Sequence, residues 1–161
     1  MTSDRHVRSH VTEVLEVLGH GLGIDLTLDQ DDSCFFEHKD GWHMAIVLPN
    51  DEQIVASVSV LSSVEAPDEH IWPVLVEYGW MGAQTDGAAL SWNPESRSFV
   101  LWYARDAISI TPEELNTLML KLCRAVAAVR PALSDSIFGQ GEGADEAEAR
   151  LGPSDMMARR V

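Results

Sequence analysis

The first apolar pattern of the chain has the period of an α-helix. Over residues 5–22, valine and leucine recur at steps of three and four residues, which places them on one side of a helix. The members of this stripe are Val7, Val11, Val14, Leu15, Leu18 and Leu22. Glycines at positions 19, 21 and 23 follow, and glycine is common just past a helix end because it accepts positive φ. The sequence therefore predicts a helix over residues 5–22.

From residue 24 onward the apolar period changes to two, which is typical of β-strands. Ile24, Leu26 and Leu28 alternate with polar residues and predict a half-buried strand. Further apolar runs at residues 34–38, 42–48 and 54–61 are separated by DQDDS, KDG and PNDEQ, which have turn composition. Successive strand regions joined by turns predict an antiparallel meander.

The alternation stops in the stretch SSVEAPDEHIWPVLVEYGW. Pro67, Asp68 and Glu69 fit the start of a helix, because acids interact favourably with the positive end of the helix dipole. Pro73 must then lie in the first turn or kink the helix. We expect a short helix near residues 69–79.

A hairpin and a long helix complete the pattern. In GAALSWNPESRSFVLWYA, two alternating runs flank NPESR, and Asn-Pro favours a turn. Thr111, Pro112 and Glu114 then form a helix start with a capping residue, a proline at the first helical position and an acid three residues after the cap. The apolar stripe of this helix is Leu115, Leu118, Met119, Leu122, Val126 and Val129. Pro131 is predicted to end it.

The element order α-β-β-β-α-β-β-α indicates an α+β fold: a five-stranded antiparallel sheet with three helices. The apolar pattern disappears after Leu133. We therefore predict one domain over residues 1–133 and an acidic, Gly- and Ala-rich tail over residues 134–161 that is mobile or becomes ordered only against a partner.

Charge narrows the classes of partner. The 161 residues carry a formal net charge of −15, which disfavours nucleic acid and anionic membrane surfaces because both repel acidic proteins. No apolar stretch approaches the roughly 20 residues that a membrane helix needs. The polar first residues do not resemble a secretory signal, so we expect a cytoplasmic protein that handles other proteins.

The sequence contains few candidates for chemistry. The glycines near residue 20 follow a helix and precede a strand, which is the reverse of a dinucleotide-binding motif. A calcium loop starting at Asp29 would place Cys34 and Asp40 where Gly and Glu are needed, so a hairpin turn is favoured. Cys34, His38 and His43 lack a fourth ligand for structural zinc. We predict no metal, no cofactor and no enzymatic activity, although the acids of residues 25–40 leave a small hydrolase as one hypothesis.

The aromatic residues indicate a partner. Phe99, Leu101 and Tyr103 alternate with apolar residues, so both faces of that strand need cover. Three helices, one of them short, leave part of a five-stranded sheet uncovered unless the short helix covers all of it. We favour a second copy or another chain as the cover.

The chain resembles the class I type III secretion chaperones, the Tir-chaperone family, over about residues 8–130. The resemblance depends on the apolar spacing and turns of LGIDLTLD, CFFE, IVLPNDEQIVASVSV, TDGAALSWNPESRSFVLWYARD and LNTLMLKL, in that order. It implies a homodimer in the bacterial cytoplasm that binds the N-terminal segment of a secreted effector and keeps it extended and soluble. The secretion-apparatus ATPase is a further candidate partner.

The resemblance also implies two sets of site residues. The expected effector-binding residues are Leu26, Leu28, Phe36, Met44, Ile46 and Leu48, for which plain core packing is an equal alternative. The expected dimer-interface residues are Trp72, Leu75, Val76, Tyr78 and Trp80. The alternative function is an adaptor or regulatory domain of the same fold that binds a folded partner.

Overall fold

The structure, a computed structural model, describes residues 3–62, 69 and 71–138. Three helices and five strands follow one another along the described chain, with one 3₁₀ turn. They are α1 (Ser3–Leu22), β1 (Ser33–Glu37), β2 (His43–Val47), β3 (Gln53–Ser62), α2 (Trp72–Gly79), the 3₁₀ turn (Trp80–Gly82), β4 (Ala89–Asn93), β5 (Ser98–Asp106) and α3 (Pro112–Phe138). This order confirms the predicted α+β fold.

All five strands form one antiparallel sheet in the order β1-β2-β3-β5-β4. The first three strands are a meander, and α2 carries the chain across to β4 at the opposite edge. The predicted hairpin is present, with Trp92 of β4 opposite Phe99 of β5. Their rings lie 4.9 Å apart between centroids, so the pair packs on one face of the sheet.

The core lies on one side of this sheet. Residues of β3 alternate between buried and half-buried, as expected when one face is covered. Helix α3 lies against β3 and β5, and α1 packs beside α3. The predicted stripes of both helices are in this core except for Leu22, which is exposed, and Val11, Leu15 and Leu122 have no exposed surface.

The segment at residues 24–28 is not a strand, so that prediction is wrong. The Ile24 amide donates to the Gly19 carbonyl at 3.0 Å, and the Asp29 amide donates to the Ser33 carbonyl at 2.8 Å. Both ends of the segment are thus bonded to the adjoining helix end and turn, and no strand in the described part of the chain pairs with it. The alternation reflects the position of the segment beside the core, where Leu26 is buried and Leu28 is half-buried.

Helix α2 begins at Trp72, three residues later than predicted. Pro73 lies in the first turn, which is where a helix tolerates proline. Glu69 precedes the helix and no acid occupies its first turn, so the proposed dipole interaction is absent there. Pro67 and Asp68 lie outside the described residues.

Helix α3 begins as predicted and ends later. The Thr111 hydroxyl accepts the amide of Glu114 at 3.2 Å, which confirms the capping residue. Pro131, however, lies inside the helix, which continues to Phe138. A proline inside a helix costs about 3 kcal/mol, but Leu133 beyond it is fully buried and Ile137 packs on the core. These contacts offset the cost, so the helix continues through residues 134–138. The rest of the predicted tail, residues 139–161, lies outside the described residues.

Candidate functional site

An exposed apolar groove opens where the end of α1 meets β1 and α3. Its volume is about 390 Å³. We define this apolar groove by Leu22, Ile24, Phe36, Met44, Met119, Leu120 and Cys123. Leu120 lies off the buried stripe of α3 and is 56% exposed. An exposed leucine beside two other exposed aliphatic residues, Leu22 and Ile24, makes this surface a candidate binding site for apolar side chains.

The close approach of the chain to Gly19 shapes one wall of the groove. A Cβ at this position would lie 2.6 Å from the Ile24 carbonyl oxygen, so only glycine fits. The carbonyl of Gly19 accepts the Ile24 amide. This bond folds the segment after α1 back over the helix end, and Ile24 thereby comes beside Leu22 in the groove wall.

A second depression continues the apolar groove along α1. It has a volume of about 260 Å³ and lies between the last turns of α1 and the first turn of α3. Leu22 and Asn116 line both depressions, while Val17 and Pro112 line the second one only. The two depressions form one continuous surface that suits an extended peptide with successive apolar side chains.

The far end of the apolar groove carries polar groups around Cys123. Glu37, His38 and Lys39 form its rim, and the His38 ring stacks on Trp42 at 5.2 Å between centroids. Burial raises the pKa of the Cys123 thiol, and the nearby Asp40 carboxylate raises it further. The thiol is therefore protonated at neutral pH and behaves as part of the apolar lining.

A second exposed apolar surface lies on α2 and the 3₁₀ turn. Trp72, Val76 and Trp80 follow one another at steps of four residues, so they share one side of the helix. They are 58%, 65% and 69% exposed, respectively, and none of the eight residues of α2 is buried. We name these three residues the α2 stripe. A short helix that presents two tryptophans and a valine to solvent is typical of a contact surface.

The loop after the 3₁₀ turn is fixed to the rest of the domain. The Tyr103 hydroxyl donates to the Asp86 carbonyl at 2.5 Å. The Asp86 carboxylate in turn lies 3.1 Å from Arg124 and 3.8 Å from Lys121, both on α3. Thr85, the residue before Asp86 in the chain, is fully buried. These contacts hold the end of the α2 region against β5 and α3.

The outer face of the sheet is the third surface open to solvent in the described part of the chain. Phe35, Ala45, Ser57 and Trp102 lie in one row across β1, β2, β3 and β5. Phe35 is 71% exposed, and the Trp102 indole donates to the Ser91 hydroxyl at 2.9 Å. This agrees with the expectation from sequence that the three helices leave part of the sheet uncovered.

The six residues expected to bind an effector do not lie together. Phe36 and Met44 line the apolar groove, but Met44 is also buried in the core, as are Leu26 and Ile46. Leu28 is half-buried against that core. Leu48 lines a separate cleft with Arg8 and Asp32 at another part of the surface.

The five residues expected at a dimer contact divide into two sides of α2. Trp72, Val76 and Trp80 form the exposed α2 stripe, while Leu75 and Tyr78 are half-buried and pack against the protein's own core.

Sequence reasoning missed Leu22, Ile24 and Leu120 as groove residues. A signal for Leu120 was available, because it is an apolar residue outside the α3 stripe. Val17 stands outside the α1 stripe in the same way, and it lines the second depression.

The candidate polar sites have structural explanations. One oxygen of the Asp29 carboxylate accepts the amides of Asp31 and Ser33, both at 2.9 Å, and so closes the acidic turn. Cys34 is buried, and burial raises the pKa of its thiol, while His43 is exposed. Within the described residues, no three His, Cys, Asp or Glu side chains are grouped so that they could hold a metal ion.

An exposed apolar groove and an exposed apolar helix are surfaces of the kind that bind polypeptides. The sequence profile described as the Tir chaperone protein (CesT) family matches residues 13–130. The chain belongs to this family, so the resemblance read from the sequence and the prediction of a type III secretion chaperone are confirmed. No curated protein matches the sequence.

Several solved structures share this fold. A chain in the ExsC-ExsE complex superimposes with a TM-score of 0.67 at 15% identity, covering 78% of this chain and 95% of that one. A chain in the HopA1-SchA chaperone-effector complex gives 0.63 at 12% identity, covering 76% and 94%. For the ExoU-SpcU complex of the type III secretion system of Pseudomonas aeruginosa, the TM-score is 0.55 at 12% identity, covering 80% and 98%.

Helices long and apolar enough to cross a membrane are not found among the residues that the structure describes.

Proposed function

We propose that this protein binds the N-terminal segment of a secreted effector and keeps it extended and soluble for export. The apolar groove is the observation that supports this proposal most directly. Its apolar lining is aliphatic, aromatic and sulfur-containing, it continues into the second depression along α1, and it is open to solvent. Such a surface holds successive apolar anchors of an unfolded segment, and those anchors would otherwise promote aggregation.

The strongly acidic surface supports the same function. A net charge of −15 keeps the chaperone soluble while it carries apolar client residues, and it favours clients with basic residues. Binding and release in this proposal need no bond-breaking chemistry, so the protein acts without enzymatic activity in the bacterial cytoplasm. The secretion-apparatus ATPase is the proposed partner at the point of release.

We further propose that two copies associate through the α2 stripe. In one copy, Trp72, Val76 and Trp80 expose an apolar surface that no described residue covers. A two-fold axis would place this surface against its own equivalent, which is the usual way in which a homodimer covers such a patch. The half-buried Leu75 and Tyr78 would support the contact from beneath.

Co-expression tests this function. The probes are N-terminal segments of the proteins that the host secretes through its type III apparatus, each expressed with the chaperone. We expect one or more segments to become soluble, to resist protease, and to appear in native mass spectrometry as one segment with two chaperones. If every segment stays unprotected and the chaperone is monomeric, the proposal is wrong. A bound partner that keeps its own cooperative thermal transition would instead indicate an adaptor for folded proteins.

A matched pair of variants locates the client. Leu120→Asp places a carboxylate in the apolar groove and should abolish protection of the segment, because an unpaired charge is costly to cover. Ile108→Asp makes the same type of change at a residue that is 61% exposed and outside the groove. It should leave protection unchanged. Equal protection by both variants would place the client elsewhere.

A further inference from the structure

The segment at residues 150–161, RLGPSDMMARRV, differs in chemistry from the rest of the chain. Three arginines and one aspartate give it a charge of +2, so the remainder of the protein carries −17. It also contains Leu151 and the adjacent pair Met156 and Met157. Methionine is flexible and polarisable, and it adapts to irregular apolar surfaces. An apolar, basic segment is thus attached to an acidic domain.

The apolar groove complements this segment. Met119, Leu120 and Cys123 provide an apolar floor, which suits leucine and methionine side chains. Glu37 borders the groove beside Lys39, and Glu113 borders the depression that continues it, so each end has a carboxylate for an arginine and one end also has a lysine. Asp40 lies close enough to Cys123 to raise the pKa of its thiol, which adds a second acid at that end.

The chain is long enough to bring the two together. Leu120 and Phe138 are 18 residues apart in α3, a distance of about 27 Å along a helix. Residues 139–149 provide 11 linking residues, which span up to about 36 Å when extended. Attachment by a short linker raises the effective concentration of a segment to the millimolar range.

We propose that residues 150–161 occupy the apolar groove of their own chain when no client is bound. The segment covers apolar surface that would otherwise promote self-association, and it is displaced when a client supplies stronger anchors. Competition with a client rests on the proposed function. Occupancy without a client rests only on the groove and on this segment.

Cys123 reports occupancy of the groove, because its thiol lines the surface that the segment would cover. The experiment measures the alkylation rate of Cys123 by N-ethylmaleimide in the intact protein, with peptide mapping by mass spectrometry. Met156→Asp with Met157→Asp should raise this rate at least fivefold. Ala144→Asp with Ala147→Asp adds the same charge to the linking residues and should leave the rate unchanged. Added synthetic peptide 150–161 should slow the reaction of the methionine variant again.

Three outcomes would overturn the proposal. The first is an equal alkylation rate in the wild type and the methionine variant. The second is an equal rise in both double variants, which would show a general charge effect. The third is protection that disappears on dilution, which would assign the segment to the groove of a second copy. A client segment that protects Cys123 when residues 150–161 do not would leave the proposed function intact and remove only this inference.

Discussion

Replacing Val76 by aspartate tests the proposed subunit contact at its centre. Val76 is 65% exposed in the single chain. Complete burial of a valine stabilises by about 1.5 kcal/mol, so covering this exposed fraction in both subunits stabilises the dimer by about 2 kcal/mol. Val76→Asp loses this contribution and adds two carboxylates without partners, each of which costs several kcal/mol to desolvate.

The dissociation constant of the dimer should therefore rise by more than about 10³-fold, since about 1.4 kcal/mol corresponds to a factor of ten. Sedimentation velocity over a wide range of protein concentrations measures this constant. Because the side chain is exposed in the monomer, the fold itself should lose no more than about 0.5 kcal/mol. Circular dichroism checks this, and Ile108→Asp is the matched control. A Val76→Asp protein that dimerises as tightly as the wild type would refute the contact.

Three further predictions concern stability. Tyr103→Phe removes the hydroxyl that bonds to the Asp86 carbonyl and should lower the free energy of unfolding by about 1 kcal/mol in urea. Burial, and then the Asp86 carboxylate, raise the pKa of Tyr103. The neutral phenol therefore contributes its full stabilisation of the fold below the unfolded pKa of tyrosine, and this contribution is lost as pH rises through the folded pKa. The phenylalanine variant should lack this alkaline loss of stability, and equal pH profiles for the two proteins would contradict the role given to Tyr103. Thr111→Ala should cost about 1 kcal/mol by removing the helix cap, and an unchanged urea midpoint would show that the cap contributes nothing. Pro131→Ala should stabilise by up to about 3 kcal/mol and raise the melting temperature, whereas a lower melting temperature would show that the proline suits its site.

Features that depend on a few adjacent residues were predictable from the sequence. The start of α3 is one example, because Thr111, Pro112 and Glu114 determine it within a single turn. The hairpin of β4 and β5 is another, because the alternation on each side of one turn sets the pairing of Trp92 with Phe99.

Features that depend on distant partners were not predictable in the same way. Alternation at residues 24–28 predicted a strand, but a strand also needs a neighbour with free backbone groups, and this segment bonds to the helix end instead. Pro131 was expected to end α3, because proline disfavours continuation of a helix. The sequence pattern alone does not show that Leu133, beyond the proline, is buried.

The candidate site shows the same division. The members of the α2 stripe were all named beforehand as residues that the family resemblance implies at a dimer contact, and they lie within nine consecutive residues. The apolar groove combines the end of α1, the segment after it and the middle of α3. Only the fold shows that Ile24 and Leu120, which are far apart in sequence, form one surface.

The absence of any buried residue in α2 affects how the protein responds to dilution. Helices of eight residues are marginal in water without tertiary contacts, because nucleation is costly. If a second subunit buries the exposed side of α2, part of the stability of each subunit comes from contacts with its partner. The melting temperature would then increase with protein concentration, and dilute samples would be the first to lose α2 to proteases.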